Sequence, residues 1–136
     1  MLQKPVSSNR VVWHRRPWLA WGLLIGWMGL IFFVSHQPDV PGLPVGLWDT
    51  VFKKLAHAAA YAILLHLWWR ALTTFRPATP ATLVLALGLT LLYAISDEWH
   101  QTFIPGRHGQ VADVLVDFAG ALAMVIARRR LDERIA

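Results

Sequence analysis

The sequence predicts an all-α membrane protein, a bundle of four transmembrane helices with both termini in the cytoplasm. Three observations lead to this prediction. Hydrophobic residues make up 56% of the 136-residue chain and charged residues only 15%, which is too apolar for a soluble domain of this size. Apolar runs recur four times between turn-forming segments. Basic residues stand beside the ends of these runs, as they do in membrane proteins.

The same composition excludes several classes of function. The chain has no cysteine, so disulfides and thiolate metal sites are ruled out. A net charge of +5 is compatible with nucleic-acid binding, but the positive residues flank apolar runs instead of forming a separate basic face. No nucleic-acid partner is therefore predicted.

The first predicted helix covers residues 18–34 and follows a polar, basic tail at residues 1–16. Its run contains no charged residue, and at ~1.5 Å per residue it nearly crosses a hydrocarbon core of ~30 Å. Gly22, Gly26 and Gly29 lie on one face of this helix. Small residues at such spacing let a second helix approach closely, so we expect this face to pack within the chain, with dimerisation as the alternative.

The other predicted helices are separated by segments rich in proline and glycine. The loop 36–49 precedes the second helix, and the turns FRPATP and PGRHGQ precede the third and the fourth. In the last turn, Pro105 is expected to end the third helix and Gly106 to permit the chain reversal. The three helices are predicted at residues 55–72, 79–96 and 111–127.

The distribution of basic residues sets the orientation. With four spans, both tails and the loop between the second and third helices share one side, and this side carries most of the 13 lysines and arginines. The opposite side carries Lys53, Lys54 and Arg107. The excess of positive charge predicts that the termini are cytoplasmic and that the protein is a multi-pass protein of the cytoplasmic (inner) membrane.

Ionisable residues collect at the outer ends of the helices, where we predict a pocket. Residues spaced i, i+3 and i+7 on the second helix share a face, as do i, i+4 pairs on the third and fourth. An aspartate facing lipid costs ~2.5–3.5 kcal/mol at the bilayer centre, so these faces should point into the bundle. The predicted ligand-binding residues are Lys54, His57, Tyr61, Asp97, Glu98, His100, Gln101, Arg107, Asp113 and Asp117.

The carboxylates in this set outnumber the fixed positive charges, and Lys54 and Arg107 are the natural counter-ions. No metal ligand is assigned and no cofactor is predicted, although oxygen and imidazole ligands leave a divalent metal open. The alternative is that ion pairs such as Lys54–Asp113 or Arg107–Asp97 only hold helix ends together. His66 is expected to be a packed or interfacial histidine, and His108 a solvated turn residue.

Three motifs in order resemble the VanZ-like membrane proteins. They are K-x-x-H-x-x-x-Y from Lys54, S-D-E-x-x-Q-x-x-x-P-G-R from Ser96, and D-x-x-x-D-x-x-G from Asp113. The SHQP segment from Ser35 is similar to a serine-glutamine element of that family, with His36 as a variant. The resemblance covers roughly residues 17–127 as the transmembrane domain and leaves 1–16 and 128–136 as basic cytoplasmic tails. It implies a small multi-span protein, with a link to teicoplanin resistance through the founding member.

The predicted function is binding of, or action on, a cell-envelope ligand, with a non-enzymatic role favoured and catalysis left open. Membrane lipids are expected partners, and a lipid-linked cell-wall precursor or a glycopeptide is the expected ligand, with Lys54 and Arg107 taking an anion. The first alternative is a metal-assisted intramembrane enzyme acting on a lipid phosphate or lipid sugar, although no G-x-S-x-G motif is present. The second alternative is a small transporter or flippase that relays protons through Asp117, His57 and Tyr61.

Overall fold

A computed structural model describes residues 16–37, 46–107 and 109–135. Four helices account for most of them, and the described residues contain no strand, which confirms the all-helical bundle. Residues 1–15 of the predicted tail, residues 38–45 of the predicted loop and His108 lie outside the described residues. The helices are α1 Pro17–Ser35, α2 Leu47–Leu72, α3 Pro80–Gln101 and α4 Val111–Ile135.

The helices are longer than the apolar runs that predicted them. α2 begins at Leu47 instead of near Leu55, and α4 continues to Ile135 instead of ending near Ala127. Apolar runs mark only the part of a helix suited to lipid, whereas helix-forming polar residues extend the backbone beyond it. The start of α3 agrees closely with the prediction, because Thr79 caps the helix and Pro80 occupies its first turn.

The turn after α3 differs from the expectation for Pro105. The helix already ends at Gln101, and the next residues form tight turns in which the amides of Phe103 and Ile104 donate to His100 and Gln101. Gly106 has a φ of 82°, a left-handed conformation that glycine adopts without strain. The expected reversal at Gly106 is therefore confirmed, while Pro105 is not the residue that ends the helix.

Successive helices run antiparallel, so that α1 starts at the same end of the bundle as α4 finishes. At this end Trp21 Nε1 donates to Thr74 Oγ1 over 3.4 Å, and the Arg128 guanidinium lies 3.5 Å from the ring centre of Trp69. His66 also lies here, with Nδ1 3.3 Å from Arg128 Nη1, as expected of a packed histidine. The arginine-rich end is thus distinct from the end where the predicted pocket residues lie.

Among the residues that the structure describes, none packs against the glycine face of α1, so the prediction of packing within the chain was wrong. A methyl group added at Gly22, Gly26 or Gly29 would meet no atom within 4 Å. The buried face of α1 instead carries Leu24 and Ile31. At ~100° per residue these side chains point almost opposite to the glycines, since the larger apolar residues fill the space between helices.

The closest approach of two helices is between α2 and α4, which pack together more extensively than any other pair. A methyl group added at Gly120 would collide with the backbone carbonyl of Ala58. Glycine at this position therefore lets the two backbones come together. The close approach fixes the register between α2 and α4, which supply several of the predicted pocket residues.

Large apolar side chains cover the outside of the bundle. Trp18, Phe33 and Val84 are each at least 64% exposed, whereas Thr90 in the interior is 1% exposed. Two helices, α1 and α3, are long and apolar enough to cross a membrane by length and composition. Ionisable residues within the apolar runs of α2 and α4 lower their hydropathy.

Candidate functional site

Two pairs of a basic and an acidic side chain link α2 to α4. Lys54 Nζ lies 2.5 Å from Asp113 Oδ1 near the end of the bundle, and both side chains are partly exposed. One turn further in, His57 Nδ1 lies 3.4 Å from Asp117 Oδ1, and Asp117 is fully buried. The i, i+3 spacing on α2 matches the i, i+4 spacing on α4, so each basic group meets an acidic one.

Asp97 joins three helices through one oxygen atom. Its Oδ2 accepts hydrogen bonds from Ser35 Oγ on α1 at 2.8 Å, from Tyr61 Oη on α2 at 3.2 Å and from Gln101 Nε2 on α3 at 3.3 Å. Asp97 is only 4% exposed, and its Oδ1 has no hydrogen-bond partner among the described residues. The carboxylate is thus a buried hub for α1, α2 and α3.

Glu98 connects α3 to the segment that leads into α4. Its Oε1 accepts a hydrogen bond from Gln101 Nε2 at 3.2 Å, and its Oε2 accepts one from the backbone amide of Gln110 at 3.0 Å. Glycine at position 109 allows this approach, since a methyl group there would collide with the Glu98 backbone. These contacts hold the Glu98 side chain at the buried face of α3.

Arg107 anchors the turn between α3 and α4 to the end of α1. Its Nη1 donates to the backbone carbonyl of Ser35 over 2.9 Å. Helices leave their last carbonyl groups without partners inside the helix, so this contact satisfies one of them at the end of α1. Arg107 lies at the margin of the site, and its observed contact is with Ser35 instead of the Asp97 partner considered from the sequence.

His100 takes no part in the hydrogen bonds of the other predicted residues, although it lines a second pocket together with Asp97. Its Nε2 lies 3.1 Å from His36 Nδ1, and its ring centre lies 4.8 Å from that of Phe32. At ~100° per residue, His100 is turned by ~60° from the face that carries Asp97. His36 and His100 therefore form a separate contact between α1 and α3.

Ser35 is a residue of the site that the predicted set did not include. The sequence did contain a signal, because Leu24, Ile31 and Ser35 follow one another on the buried face of α1. We define the polar cluster as the predicted residues without His100 and with Ser35 added. Its members are Ser35, Lys54, His57, Tyr61, Asp97, Glu98, Gln101, Arg107, Asp113 and Asp117.

A groove between α1 and α2 opens on the apolar flank of the bundle and reaches the polar cluster. It encloses about 210 Å³ and is apolar over most of its length. Its polar end is formed by Ser35, His57 and Tyr61. The remaining lining residues are Trp27, Leu30, Ile31, Val34, Ala56 and Ala60.

Part of the polar cluster has the composition of a metal site. His57, Glu98 and Asp117 each offer one ligand atom, and these atoms all lie within 4.8 Å of one another. Imidazole and carboxylate groups are common ligands of divalent metals. A ligand-binding role for the cluster as a whole remains a prediction, although its residues are brought together.

A comparison with known families identifies the family of the chain. A family model described as VanZ/LLP1 matches residues 20–131, which span all four helices and the whole polar cluster. Among curated proteins and among solved structures, nothing matches the chain significantly. The match confirms the resemblance inferred from the three sequence motifs and covers most of the chain. The chain therefore belongs to the VanZ/LLP1 family.

Proposed function

We propose that the chain is a multi-pass protein of the cytoplasmic (inner) membrane whose polar cluster binds a lipid-linked ligand of the cell envelope. The distribution of polarity supports the membrane location, because large apolar side chains face outward while Asp97, Glu98 and Asp117 are buried. Soluble proteins have the opposite arrangement. In this proposal α2 and α4 also cross the membrane, since their ionisable groups face partners in the bundle instead of lipid.

The proposed orientation places both termini in the cytoplasm and the polar cluster at the outer face. Arg16, Arg70, Arg76 and Arg128 belong to the end of the bundle opposite the polar cluster. Cytoplasmic segments of membrane proteins carry an excess of lysine and arginine. The polar cluster is then exposed to the side on which cell-wall precursors are used.

We expect cysteine labelling in intact cells to follow this orientation. Thr102 lies at the polar-cluster end and Ala78 at the arginine-rich end, and both are exposed. Because the chain has no native cysteine, Thr102→Cys and Ala78→Cys each introduce a single thiol. A membrane-impermeant maleimide should modify Thr102→Cys in intact cells, and both variants after permeabilisation. Labelling of Ala78→Cys, or of neither variant, in intact cells would contradict the proposal.

The groove between α1 and α2 is our main reason for proposing a lipid-linked ligand. The apolar part of this groove suits a hydrocarbon chain, and its polar end at Ser35 and His57 suits a head group. A soluble ligand would need no apolar groove on the side of the bundle. The continuity between groove and polar cluster therefore favours an amphipathic ligand that enters from the membrane.

Arg107 is the residue we propose as the contact for the phosphate of such a ligand. A guanidinium has five N–H donors, and the contact with the Ser35 carbonyl uses one of them. Lys54 is engaged with Asp113. The expected anion contact therefore rests mainly on Arg107, which can bind phosphate oxygens in a bidentate manner.

Binding of a fluorescent polyisoprenyl-diphosphate sugar to purified protein in nanodiscs tests this function. Ala56→Trp fills the groove and should abolish binding, whereas Ala59→Trp, an exposed change nearby on α2 that does not line the groove, should leave it intact. Arg107→Ala should weaken binding by about tenfold or more, because a hydrogen bond to a charged group contributes ~1.5–3 kcal/mol. Arg76→Ala, at the opposite end, is its control.

Two results would contradict the proposed ligand. Equal binding by Ala56→Trp and Ala59→Trp would show that the ligand does not occupy the groove. Equal binding by Arg107→Ala and Arg76→Ala would show that Arg107 does not contact the ligand.

We propose glycopeptide resistance as the accompanying phenotype, in line with the family. Expression in a susceptible host should then raise the inhibitory concentration of teicoplanin, and Ala56→Trp should abolish this rise.

A further inference from the structure

Three helices each contribute one metal-ligating side chain to the inner part of the polar cluster. They are His57 of α2, Glu98 of α3 and Asp117 of α4, with ligand atoms within 4.8 Å of one another. Two ligands bound to one tetrahedral ion at ~2.1 Å are separated by ~3.4 Å. His57 Nδ1 and Asp117 Oδ1 have this separation, at 3.4 Å. The Glu98 ligand atom lies within 4.8 Å of both.

The buried Asp117 carboxyl group lacks hydrogen-bond donors within the described part of the chain, which is a separate indication of a bound cation. Asp117 is 0% exposed, and neither of its carboxylate oxygens accepts a hydrogen bond from any residue that the structure describes. Buried polar groups normally have such partners, because burial of an unpartnered carboxylate is costly. His57 approaches to 3.4 Å, which is longer than the ~2.7–2.9 Å of a charge-assisted hydrogen bond.

Lys54, the neighbouring basic side chain on α2, is not paired with Asp117. Lys54 lies one turn away and is bound to Asp113. Glu98 is also buried and places a second carboxyl group beside Asp117. The space between these groups is thus lined by two carboxylates and an imidazole, and a cation there would satisfy the oxygens of Asp117.

We propose that His57, Glu98 and Asp117 bind one divalent transition-metal ion of the Zn²⁺ or Mn²⁺ type. A mixed set of one imidazole and two carboxylates suits these ions, whereas Ca²⁺ and Mg²⁺ prefer oxygen ligands alone. The ligand Glu98 is already oriented by hydrogen bonds from Gln101 and the Gln110 amide, as ligating carboxylates usually are. Three protein ligands leave a coordination position for water or a ligand oxygen.

The groove between α1 and α2 provides the route to this metal site. His57 is one of the residues at its polar end, and its side chain is 31% exposed. A phosphate oxygen of a molecule in the groove is therefore a suitable exogenous ligand for the ion. This inference goes beyond the proposed ligand binding and does not depend on it, since metal uptake is measured without any lipid-linked molecule.

Titration of purified, chelator-treated protein with Zn²⁺, Mn²⁺ and Co²⁺ tests the site. We expect one equivalent per chain by calorimetry and elemental analysis, and visible d–d absorption from bound Co²⁺. His57→Gln, Glu98→Gln and Asp117→Asn should each weaken binding by about 100-fold or more, because loss of a mere outer-shell partner already costs about 10- to 100-fold. His66→Gln, on the same helix but at the other end of the bundle, should bind as the unaltered chain does.

The unaltered protein alone can overturn the proposal, whatever the folding of the variants. Failure of the folded chain to take up stoichiometric metal would do so. So would a Co²⁺ spectrum and affinity unchanged in His57→Gln or Asp117→Asn with normal gel-filtration and circular-dichroism profiles. Equal losses in His66→Gln and His57→Gln would likewise contradict it, since His66 is remote from the three ligands.

Discussion

Replacement of Gly120 by alanine is expected to destabilise the protein by about 3 kcal/mol, the upper part of the usual range for overpacking a core. The added methyl group would collide with the backbone carbonyl of Ala58, which cannot turn aside as a flexible side chain can. α4 must therefore move away from α2. Because Asp113 and Asp117 lie on the same helix as Gly120, this movement also separates them from Lys54 and His57.

The matched control is Gly88→Ala in the middle of α3. A methyl group there meets no atom within 4 Å, and alanine favours a helix over glycine by ~1 kcal/mol, so this change should be neutral or stabilising. Reversible unfolding in mixed detergent micelles gives the free energy of unfolding of both variants. If Gly120→Ala were as stable as Gly88→Ala, the close approach of α2 and α4 would not exist.

The sequence predicted the helices well where polarity alone decides them. Four apolar runs separated by proline and glycine give the order and number of helices, and Thr79–Pro80 marks the start of α3 closely. The ends of α2 and α4 were missed because polar residues continue a helix beyond its apolar run. Tertiary packing was harder to infer, since the spacing of Gly22, Gly26 and Gly29 is equally compatible with a face that no described residue contacts.

The residues of the site could be predicted where helix periodicity alone decides which side chains share a face. The pair Lys54–Asp113, considered from the sequence as a contact between helix ends, is present. The spacings on α2 and α4 predicted that His57 and Asp117 belong to the same pocket, but their pairing is seen only in the structure. His100 lines a second pocket together with Asp97 but contacts His36 instead of the hydrogen-bonded residues of the cluster, so its role in the same ligand site stays a prediction. Ser35 was left out of the predicted set because a serine at the end of an apolar helix carries no charge.

Replacement of Asp97 by alanine is expected to lower the free energy of unfolding by about 3 kcal/mol or more, comparable to breaking a buried charged network. Ser35, Tyr61 and Gln101 all donate to Asp97 Oδ2. The change leaves buried donors without that acceptor, and each hydrogen bond to a charged group contributes ~1.5–3 kcal/mol. The loss should be measured by the same unfolding assay.

Two further variants separate the hub role of Asp97 from a general effect of altering the end of α3. Ser96→Ala changes the adjacent, exposed residue, whose Oγ donates to the Tyr93 carbonyl of its own helix, so stability should change little. Asp97→Asn keeps one acceptor oxygen and should fall between Ser96→Ala and Asp97→Ala. Because α1 contacts α3 only lightly elsewhere, loss of the Ser35–Asp97 bond should also increase amide exchange in the last turn of α1. Unchanged stability and exchange in Asp97→Ala would contradict the hub role of Asp97, since the Arg107–Ser35 and His36–His100 contacts would then be enough to hold α1 at this end.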